Sequence, residues 1–202
     1  MKLSDKKRIN ILDAAEQLFF ESGVEHTTMD QIAKAARASK RTVYNHFSTK
    51  EVLFHAIIGR MVEHLDQAQD VTFDSQVSIK AQLTVIAQQE VALLNSQHFL
   101  RIAKIAFMQM LQQAELAKDI ANNQFGCMRY LEVFLQDANA ASTLQIEDVE
   151  FAAKQFVYQL KSFIFYPVLF GFETPESLPV EKIIEQSVTT FLSRYQGQLD
   201  SV

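Results

Sequence analysis

Apolar residues recur at helical spacing from the start of the chain. One apolar stripe, at intervals of three and four residues, consists of Ile9, Leu12, Ala15, Leu18 and Phe19. The stripe stops shortly before Gly23, and glycine suits the left-handed conformation that ends many helices. This pattern predicts an amphipathic first helix.

Three further helix starts follow closely. Thr28 stands three residues before Gln31, which is the interval of a capping box. Ser39 is a preferred N-cap residue and opens the next helix. Ser48 stands three residues before Glu51, and this second capping-box interval predicts the start of a fourth helix.

The second and third predicted helices are short and are separated by a break at Arg37-Ala38. Val43 and Phe47 lie four residues apart, so they share one face and turn inward together. The side chains left outside can hydrogen-bond phosphates and base edges: Ser39, Lys40, Arg41, Thr42, Tyr44, Asn45 and His46. A helix-turn-helix, which places its second helix in the major groove, has this arrangement. Generic three-helix packing has the same periodicity.

The rest of the chain also has the pattern of helices. They are predicted over 76–95, 98–112, 114–139, 146–170 and 179–195. Gly171 suits a C-terminal cap, Pro167 suits a kink or an earlier helix end, and Pro179 suits the first turn of the last helix, with Ser177 as its cap. Only 5 Gly and 3 Pro interrupt the 202 residues. The sequence therefore predicts an all-α protein.

Charge divides the chain. The formal net charge is -5, but residues 1–60 carry ten Lys and Arg against seven Asp and Glu, a net of +3. Residues 61–202 carry nine against seventeen, a net of -8. Between residues 31 and 50 there are five cations and no acid. Such a patch is typical of a surface that binds a polyanion; the alternative is a solvated basic face that binds nothing.

Three features bear on location. The most apolar stretch, 162–172, is 11 residues long, about half of the ~20 that a membrane-spanning helix needs. The N-terminal residues lack the apolar core of a signal peptide. Cys127 is the sole cysteine, so neither an intramolecular disulfide framework nor a multi-cysteine metal site can form. We expect a cytoplasmic protein whose Cys127 is a small packed hydrophobe.

The first 55 or so residues resemble the DNA-binding domain of the tetracycline-repressor (TetR) family. The resemblance rests on 11–15, Thr27-Thr28, Ile32-Ala33 and 39–54, and its most specific part is Tyr44-x-His46-Phe47-x-x-Lys50. It implies an all-helical homodimer with a helix-turn-helix DNA-binding domain over residues 1–50 and a larger helical domain for ligand binding and dimerisation over 51–202. Most members of the family are repressors that leave their operators when a small molecule binds.

The resemblance also implies DNA contacts. Thr28 matches a residue that touches a phosphate through its amide or hydroxyl, and Thr42 matches a position near the DNA. Tyr44 and His46 match residues that grip phosphates on either side of the groove. Lys50 matches a phosphate-contacting lysine at the start of the fourth helix, where the helix N-terminus also attracts anions.

Further candidates come from the residue types. Lys40 and Arg41 are candidates for base-edge or phosphate contacts, and Ser39 and Asn45 belong to the same exposed set. The family usually has glycine where this chain has Arg37. A positive φ there would cost on the order of 1 kcal/mol, and Arg37 becomes an additional candidate for a phosphate contact. The alternative for each residue is a solvated surface position.

The resemblance places an effector pocket among the middle helices. Methionine and aromatic side chains adapt to irregular apolar or amphipathic ligands. The candidate lining consists of Phe99, Phe107, Met108, Met110, Phe125, Met128 and Phe163, with Arg129 and Gln159 as polar contacts. The alternative for any one of them is an ordinary core or surface position.

The resemblance assigns the last two long helices to a dimer interface. Aromatic residues between 151 and 172 are spread around the helix, so one side would be exposed in a monomer. The candidate interface residues are Phe156, Phe163, Phe170, Ile184, Val188 and Phe191. The alternative is a central buried helix. A twofold dimer matches the two half-sites of a palindromic operator.

Enzyme motifs are missing. The five glycines never cluster, which excludes a P-loop and a dinucleotide fingerprint, and no two of the five histidines have the i, i+4 spacing of a helical metal site. We expect no catalysis, cofactor or metal. The predicted function is a sequence-specific transcriptional regulator, a ligand-responsive repressor that binds a palindromic operator as a homodimer. The alternative is a helical lipid- or peptide-binding module, which would tolerate changes at Tyr44 and Lys50.

Overall fold

The computed structural model describes residues 3–65, 70–112 and 127–196, and no strand occurs among them. Ten α-helices lie in these ranges: α1 (Leu3–Ser22), α2 (Met29–Ala35), α3 (Lys40–His46), α4 (Lys50–Leu65), α5 (Ile79–Leu94), α6 (Gln97–Gln112), α7 (Met128–Ala140), α8 (Val149–Leu160), α9 (Tyr166–Leu169) and α10 (Val180–Tyr195). A π turn, Lys161–Phe165, joins α8 to α9, and a short 3-10 helix, Pro175–Ser177, precedes α10. The prediction of an all-α protein is confirmed.

Two compact units make up the chain: Met1–His64 with Gln97–Asn123, and Leu65–Ser96 with Gln124–Val202. The first unit therefore contains α1–α4 and α6, and the second contains α5 and α7–α10. The functional boundary predicted at residue 50 stays a prediction. Within the described residues, no helix is both long enough and apolar enough to cross a membrane.

The first unit is built around α1, which packs against α2 and α6. Its core consists of apolar side chains that are almost fully buried, among them Ile11, Leu12, Phe19, Ile32, Val43, Phe47, Leu53, Ile57 and Ile102. A polar cluster also joins its helices: Arg60 of α4 binds Asp13 and the buried Glu16 of α1, with 2.6 Å between Arg60 Nη2 and Glu16 Oε2. His98 of α6 lies 3.5 Å from the same Glu16 carboxylate.

The second unit is held together by α10, which packs against α5 and α8. The rings of Phe156 and Phe191 meet edge to face, with centroids 5.2 Å apart. The other large buried residues of this core include Leu83, Ile86, Phe134, Val157, Leu160 and Val188. Aromatic pairs of this geometry add to the burial of their apolar area.

Two predicted helix caps are wrong. α4 begins at Lys50, and its cap is Thr49, whose Oγ1 accepts the N–H of Val52 at 3.2 Å. Ser48 lies one residue too early for that contact. At α10, Pro179 occupies the N-cap position, and the Ser177 hydroxyl instead donates to Thr174 O at 2.8 Å within the preceding 3-10 helix.

Other predicted ends are confirmed. Gly23 has φ 80° and Gly171 has φ 76°, so both glycines take the left-handed conformation expected after a helix.

Pro167 does not end its helix. The N–H of Tyr166 donates to Lys161 O, five residues back, and this wider π turn accommodates the proline that follows. A turn at Cys127 precedes α7, while the earlier part of the predicted helix over 114–139 lies outside the described residues.

The turn between α2 and α3 ends in a left-handed residue that is not glycine. Arg37 has φ 50°; its N–H donates to Lys34 O at 3.2 Å, and the N–H of Ala38 donates to Ala33 O at 2.9 Å. These two bonds form a Schellman motif, in which the left-handed position favours glycine. A side chain there costs about 1 kcal/mol, as expected for a positive φ at Arg37.

The cap at Thr49 predicts a difference between neighbouring hydroxyl residues. Thr49→Ala is expected to lower the free energy of unfolding by about 1 kcal/mol at pH 7, because it removes the cap of α4. Ser48→Ala is the matched control and should change it little. Urea unfolding followed by circular dichroism measures both variants, and equal losses would contradict the assignment of the cap.

The same substitution carries a pH dependence. The Thr49 hydroxyl, the backbone amide of Glu51 and Lys50 lower the pKa of the Glu51 carboxyl. A lowered pKa stabilises the fold above the usual pKa of the carboxyl, and this contribution is lost as the pH falls through the lowered pKa. The stability difference between Thr49→Ala and the parent is therefore expected to shrink in acid.

The left-handed turn predicts opposite effects of glycine at adjacent positions. Arg37→Gly is expected to raise the free energy of unfolding by about 1 kcal/mol and the Tm by about 2–4 °C, because it relieves the positive φ. Ala36 has φ -73°, so Ala36→Gly gains no such relief and is expected to lower the Tm. Scanning calorimetry measures both. A lower Tm for Arg37→Gly would contradict the strain at this turn.

Candidate nucleic-acid interface

The start of α2 is fixed by the predicted capping box. The amide and hydroxyl of Thr28 donate to Gln31 Oε1 at 2.7 and 2.9 Å, and the amide of Gln31 donates to Thr28 Oγ1 at 3.2 Å. The neighbouring Thr27 is buried and donates to Gly23 O at 2.8 Å. Both donors of Thr28 are thus engaged here, and a phosphate contact at Thr28 requires the Gln31 side chain to move aside.

The orientation of α3 is set by its cap and by two buried side chains. Ser39 Oγ accepts the N–H of Thr42 at 3.1 Å and lies 2.8 Å from the Thr42 hydroxyl oxygen. Val43 and Phe47 are 0% and 1% exposed, which confirms that they turn inward. Rotation of the helix about its axis would expose these residues and bury charged ones.

The outward face of α3 carries the predicted polar set. Tyr44 is 50% exposed. The other exposed members are Ser39, Lys40, Arg41 and Asn45, while Thr42 and His46 are half-buried. Arg37 is exposed in the turn before the helix. None of these candidates is buried in the structure, and their contacts with DNA stay predictions.

The basic residues of this surface differ in their partners. Lys40 forms an exposed ion pair with Asp30 of α2, so a phosphate or base at Lys40 competes with that carboxylate. Exposed ion pairs contribute only about 0–1 kcal/mol, and the competition is therefore weak. Arg41 forms no ion pair with any residue that the structure describes.

Lys50 joins the start of α4 to the loop before α2. Its ammonium donates to Val24 O at 2.8 Å and to Glu25 O at 3.1 Å. An ammonium has three donors, so one N–H remains after these two bonds. Lys50 thus has a structural role that its sequence context did not predict, and its phosphate contact stays a prediction.

Arg8 is a basic residue of this unit that the sequence pattern did not single out. Its guanidinium lies 4.8 Å from the centroid of the Phe47 ring at the end of α3. The two residues are far apart in the chain, so no local motif connects them. The available signal was helical spacing: Arg8 precedes the buried residues Ile11 and Leu12 by three and four positions.

The candidate effector residues that the structure describes belong to both compact units. Phe99, Phe107, Met108 and Met110 belong to α6 in the first unit, and Met108 is exposed. In the second unit lie Met128, Arg129, Gln159 and Phe163, and Arg129 forms an ion pair with Asp70. Phe125 lies outside the described residues. A role in effector binding stays a prediction for all nine.

The candidate interface residues divide into two groups. Phe156, Ile184, Val188 and Phe191 are buried within a single chain, where they pack the core of the second unit. Phe163 and Phe170 are 54% and 60% exposed. A side chain that is buried in its own chain has no exposed surface for a partner to contact. Of the six candidates, only Phe163 and Phe170 therefore have exposed surface available for an interface. The interface itself stays a prediction.

Cys127 is buried beside Glu90 of α5. The Glu90 carboxylate accepts the N–H of Cys127 at 2.9 Å and so caps α7 from outside. Burial, together with the negative charge of Glu90, raises the pKa of the Cys127 thiol well above its usual value. A protonated, enclosed thiol is a poor nucleophile. Among the described residues, no group of three metal-ligating side chains comes together.

Known proteins match both parts of the chain. Residues 11–57 match the model of the bacterial regulatory proteins of the tetR family, and residues 81–197 match that of the AefR-like transcriptional repressor, C-terminal domain. FasR, an HTH-type transcriptional activator of Mycolicibacterium smegmatis, is 36% identical over 81 residues, which is 38% of this chain and 37% of that protein. The chain spans about a third of the length of the curated relatives it matches.

Solved structures match over almost the whole chain. A TetR family transcriptional regulator from Pseudomonas syringae pv. tomato str. DC3000 has a TM-score of 0.80 and 30% identity, covering 96% of this chain and 99% of that one. The flavonoid-responsive regulator FrrA has a TM-score of 0.74 and 28% identity over 96% of this chain and 99% of that one. With a family model that matches more than half of its residues, the chain belongs to the TetR family of bacterial helix-turn-helix transcriptional regulators.

Proposed function

We propose that this chain regulates transcription by binding a palindromic operator as a homodimer, with one α3 helix in each of two successive major grooves. The observation that carries the proposal is the exposed polar face of α3, held outward by the burial of Val43 and Phe47. In a helix-turn-helix dimer the two recognition helices lie about 34–36 Å apart, one turn of duplex.

The roles of the residues follow from their positions. Tyr44 and Arg41 are exposed, and they reach the duplex without breaking an ion pair of the described structure. Lys50 offers its remaining N–H to a phosphate while two loop carbonyls hold its ammonium in place. Phosphate contacts set the register of the protein on the duplex, and base contacts from α3 specify the sequence.

The second unit offers a surface for dimerisation. Phe163 and Phe170 are exposed, and Phe163 lines an apolar groove of about 450 Å³ together with Pro167 and Ile183. The hydroxyl of Ser187 borders the same groove, is buried, and has no hydrogen-bond partner in the described part of the chain. Exposed aromatic groups around a groove are typical of a protein interface. We place the homodimer contact here.

An effector completes the proposal. The predicted ligand is a small apolar or amphipathic molecule, and flavonoids are a reasonable first class to test because FrrA is described as flavonoid-responsive. Effector binding lowers DNA affinity if it changes the distance between the two recognition helices, since both half-sites are then no longer engaged together. Residues 81–197 match the C-terminal domain of a transcriptional repressor, and this chain is therefore proposed to repress.

The Tyr44 hydroxyl is expected to matter for DNA binding but not for folding. Tyr44→Phe should weaken binding to a labelled duplex by about tenfold, because it removes a hydrogen bond to a charged phosphate. Tyr158→Phe is the matched control, since Tyr158 is similarly exposed and lies in the second unit. Fluorescence anisotropy measures both affinities. Equal affinities for the two variants would show that the Tyr44 hydroxyl makes no contact with the duplex, whereas a parent chain that binds no duplex would favour a helical lipid- or peptide-binding module.

Substitution of a single side chain tests the proposed dimer contact. Phe163→Glu is expected to shift the protein from dimer to monomer at micromolar concentration, because it places a charge in an apolar interface. The control is Phe151→Glu, which alters an equally exposed phenylalanine outside the groove. Analytical ultracentrifugation gives the mass of each. If Phe163→Glu is as dimeric as the control, the dimer forms elsewhere.

A further inference from the structure

The first turns of α1 carry three consecutive cations, Lys6, Lys7 and Arg8, all of them exposed. None of the three forms an ion pair with another residue of the described structure. They precede the basic segment 31–50 and lie outside the helix-turn-helix itself. Helical geometry decides where each of the three side chains points.

Arg8 lies on the side of α1 that faces the core of the first unit. Ile11 and Leu12, three and four residues later, are both buried, and side chains at these intervals share a helix face. Lys6 lies about 160° around the helix from Arg8, since successive residues are about 100° apart. Arg8 thus lies on the same face of α1 as the buried residues but one turn earlier, where the face is exposed, whereas Lys6 lies on the opposite face.

The Phe47 ring holds Arg8 at the end of the recognition helix. The guanidinium carbon lies 4.8 Å from the ring centroid, and Phe47 is the residue that caps the C-terminus of α3. Stacking on the ring face leaves the N–H groups at the guanidinium edge available. Phe47 follows His46 directly and precedes Lys50 by three residues, so Arg8 is stacked on a residue that lies in the chain between two of the proposed phosphate contacts.

We propose that Arg8 binds a phosphate of the DNA backbone, with the Phe47 ring as its platform, and that the contact surface therefore extends from the helix-turn-helix to α1. This inference rests on the proposed function. A planar guanidinium that is already stacked loses little side-chain freedom when it binds a phosphate, and it can donate two hydrogen bonds to it. The contact adds affinity without sequence preference.

The test uses the full chain and a labelled duplex of random sequence, with affinity measured by fluorescence anisotropy at several salt concentrations. Arg8→Gln and Arg8→Met remove the charge, and Met also keeps an apolar cover over Phe47. Each is expected to reduce the slope of log K against log[salt] by about 0.9, the value for one phosphate contact. Affinity at physiological salt should fall about twofold to fivefold.

Lys6→Gln is the matched control, because it removes one cation two residues away on the opposite side of α1. Its slope should equal that of the parent. Equal slope changes in Lys6→Gln and Arg8→Met would show a general charge effect and overturn the contact. Unchanged slopes for both Arg8 variants, with only a lower Tm for Arg8→Gln, would show that Arg8 merely covers Phe47. If the parent chain binds no duplex at low salt, the proposed function itself fails.

Discussion

The burial of Val43 and Phe47 determines what this protein presents to its surroundings. A helix as short as α3, Lys40–His46, is not stable on its own backbone hydrogen bonds. Its position depends on these two side chains, which are almost fully enclosed in the core of the first unit. Because they fix the rotation of α3, they also fix that Tyr44 and Arg41 face outward. The proposed DNA contacts are thus a consequence of core packing.

Several basic groups around α3 are held by unusual local structure. Arg37 sits in a left-handed turn that favours glycine, Lys50 is anchored by two loop carbonyls, and Arg8 is stacked on Phe47. Each arrangement holds a cation in the first unit in a defined position. Strained backbone such as that of Arg37 clusters at functional sites, and the three cations together have the charge that a surface for a polyanion needs.

The sequence predicted helix ends best where the signal was local. Thr28 and Ser39 were identified as caps because an N-cap needs only its own side chain and the next three residues. The same reasoning was wrong at Ser48, because Thr49 can cap as well and the path of the chain decides between the two. Contacts between distant residues, such as Lys50 with Val24 or Arg8 with Phe47, leave no local pattern.

Where a helix is apolar on several sides, its sequence does not show which side faces a partner. Around α8 and α10 the sequence does not distinguish residues that face the chain's own core from those that face a partner, so it makes both the buried Phe156 and the exposed Phe163 candidates for one interface. The candidate pocket residues are divided between the two compact units, since α6, with Phe99 and Met110, groups with α1–α4, and their role in effector binding stays a prediction. Pocket residues depend on packing between helices, which periodicity alone does not determine.

Selection of duplexes from a random DNA pool, followed by sequencing of the bound fraction, tests most directly whether the outward face of α3 reads DNA in a twofold pair. We expect enrichment of a palindrome whose half-site centres are about one helical turn apart. If no sequence is enriched after repeated rounds of selection, although the immobilised protein is folded, binding of α3 to a palindromic operator is contradicted.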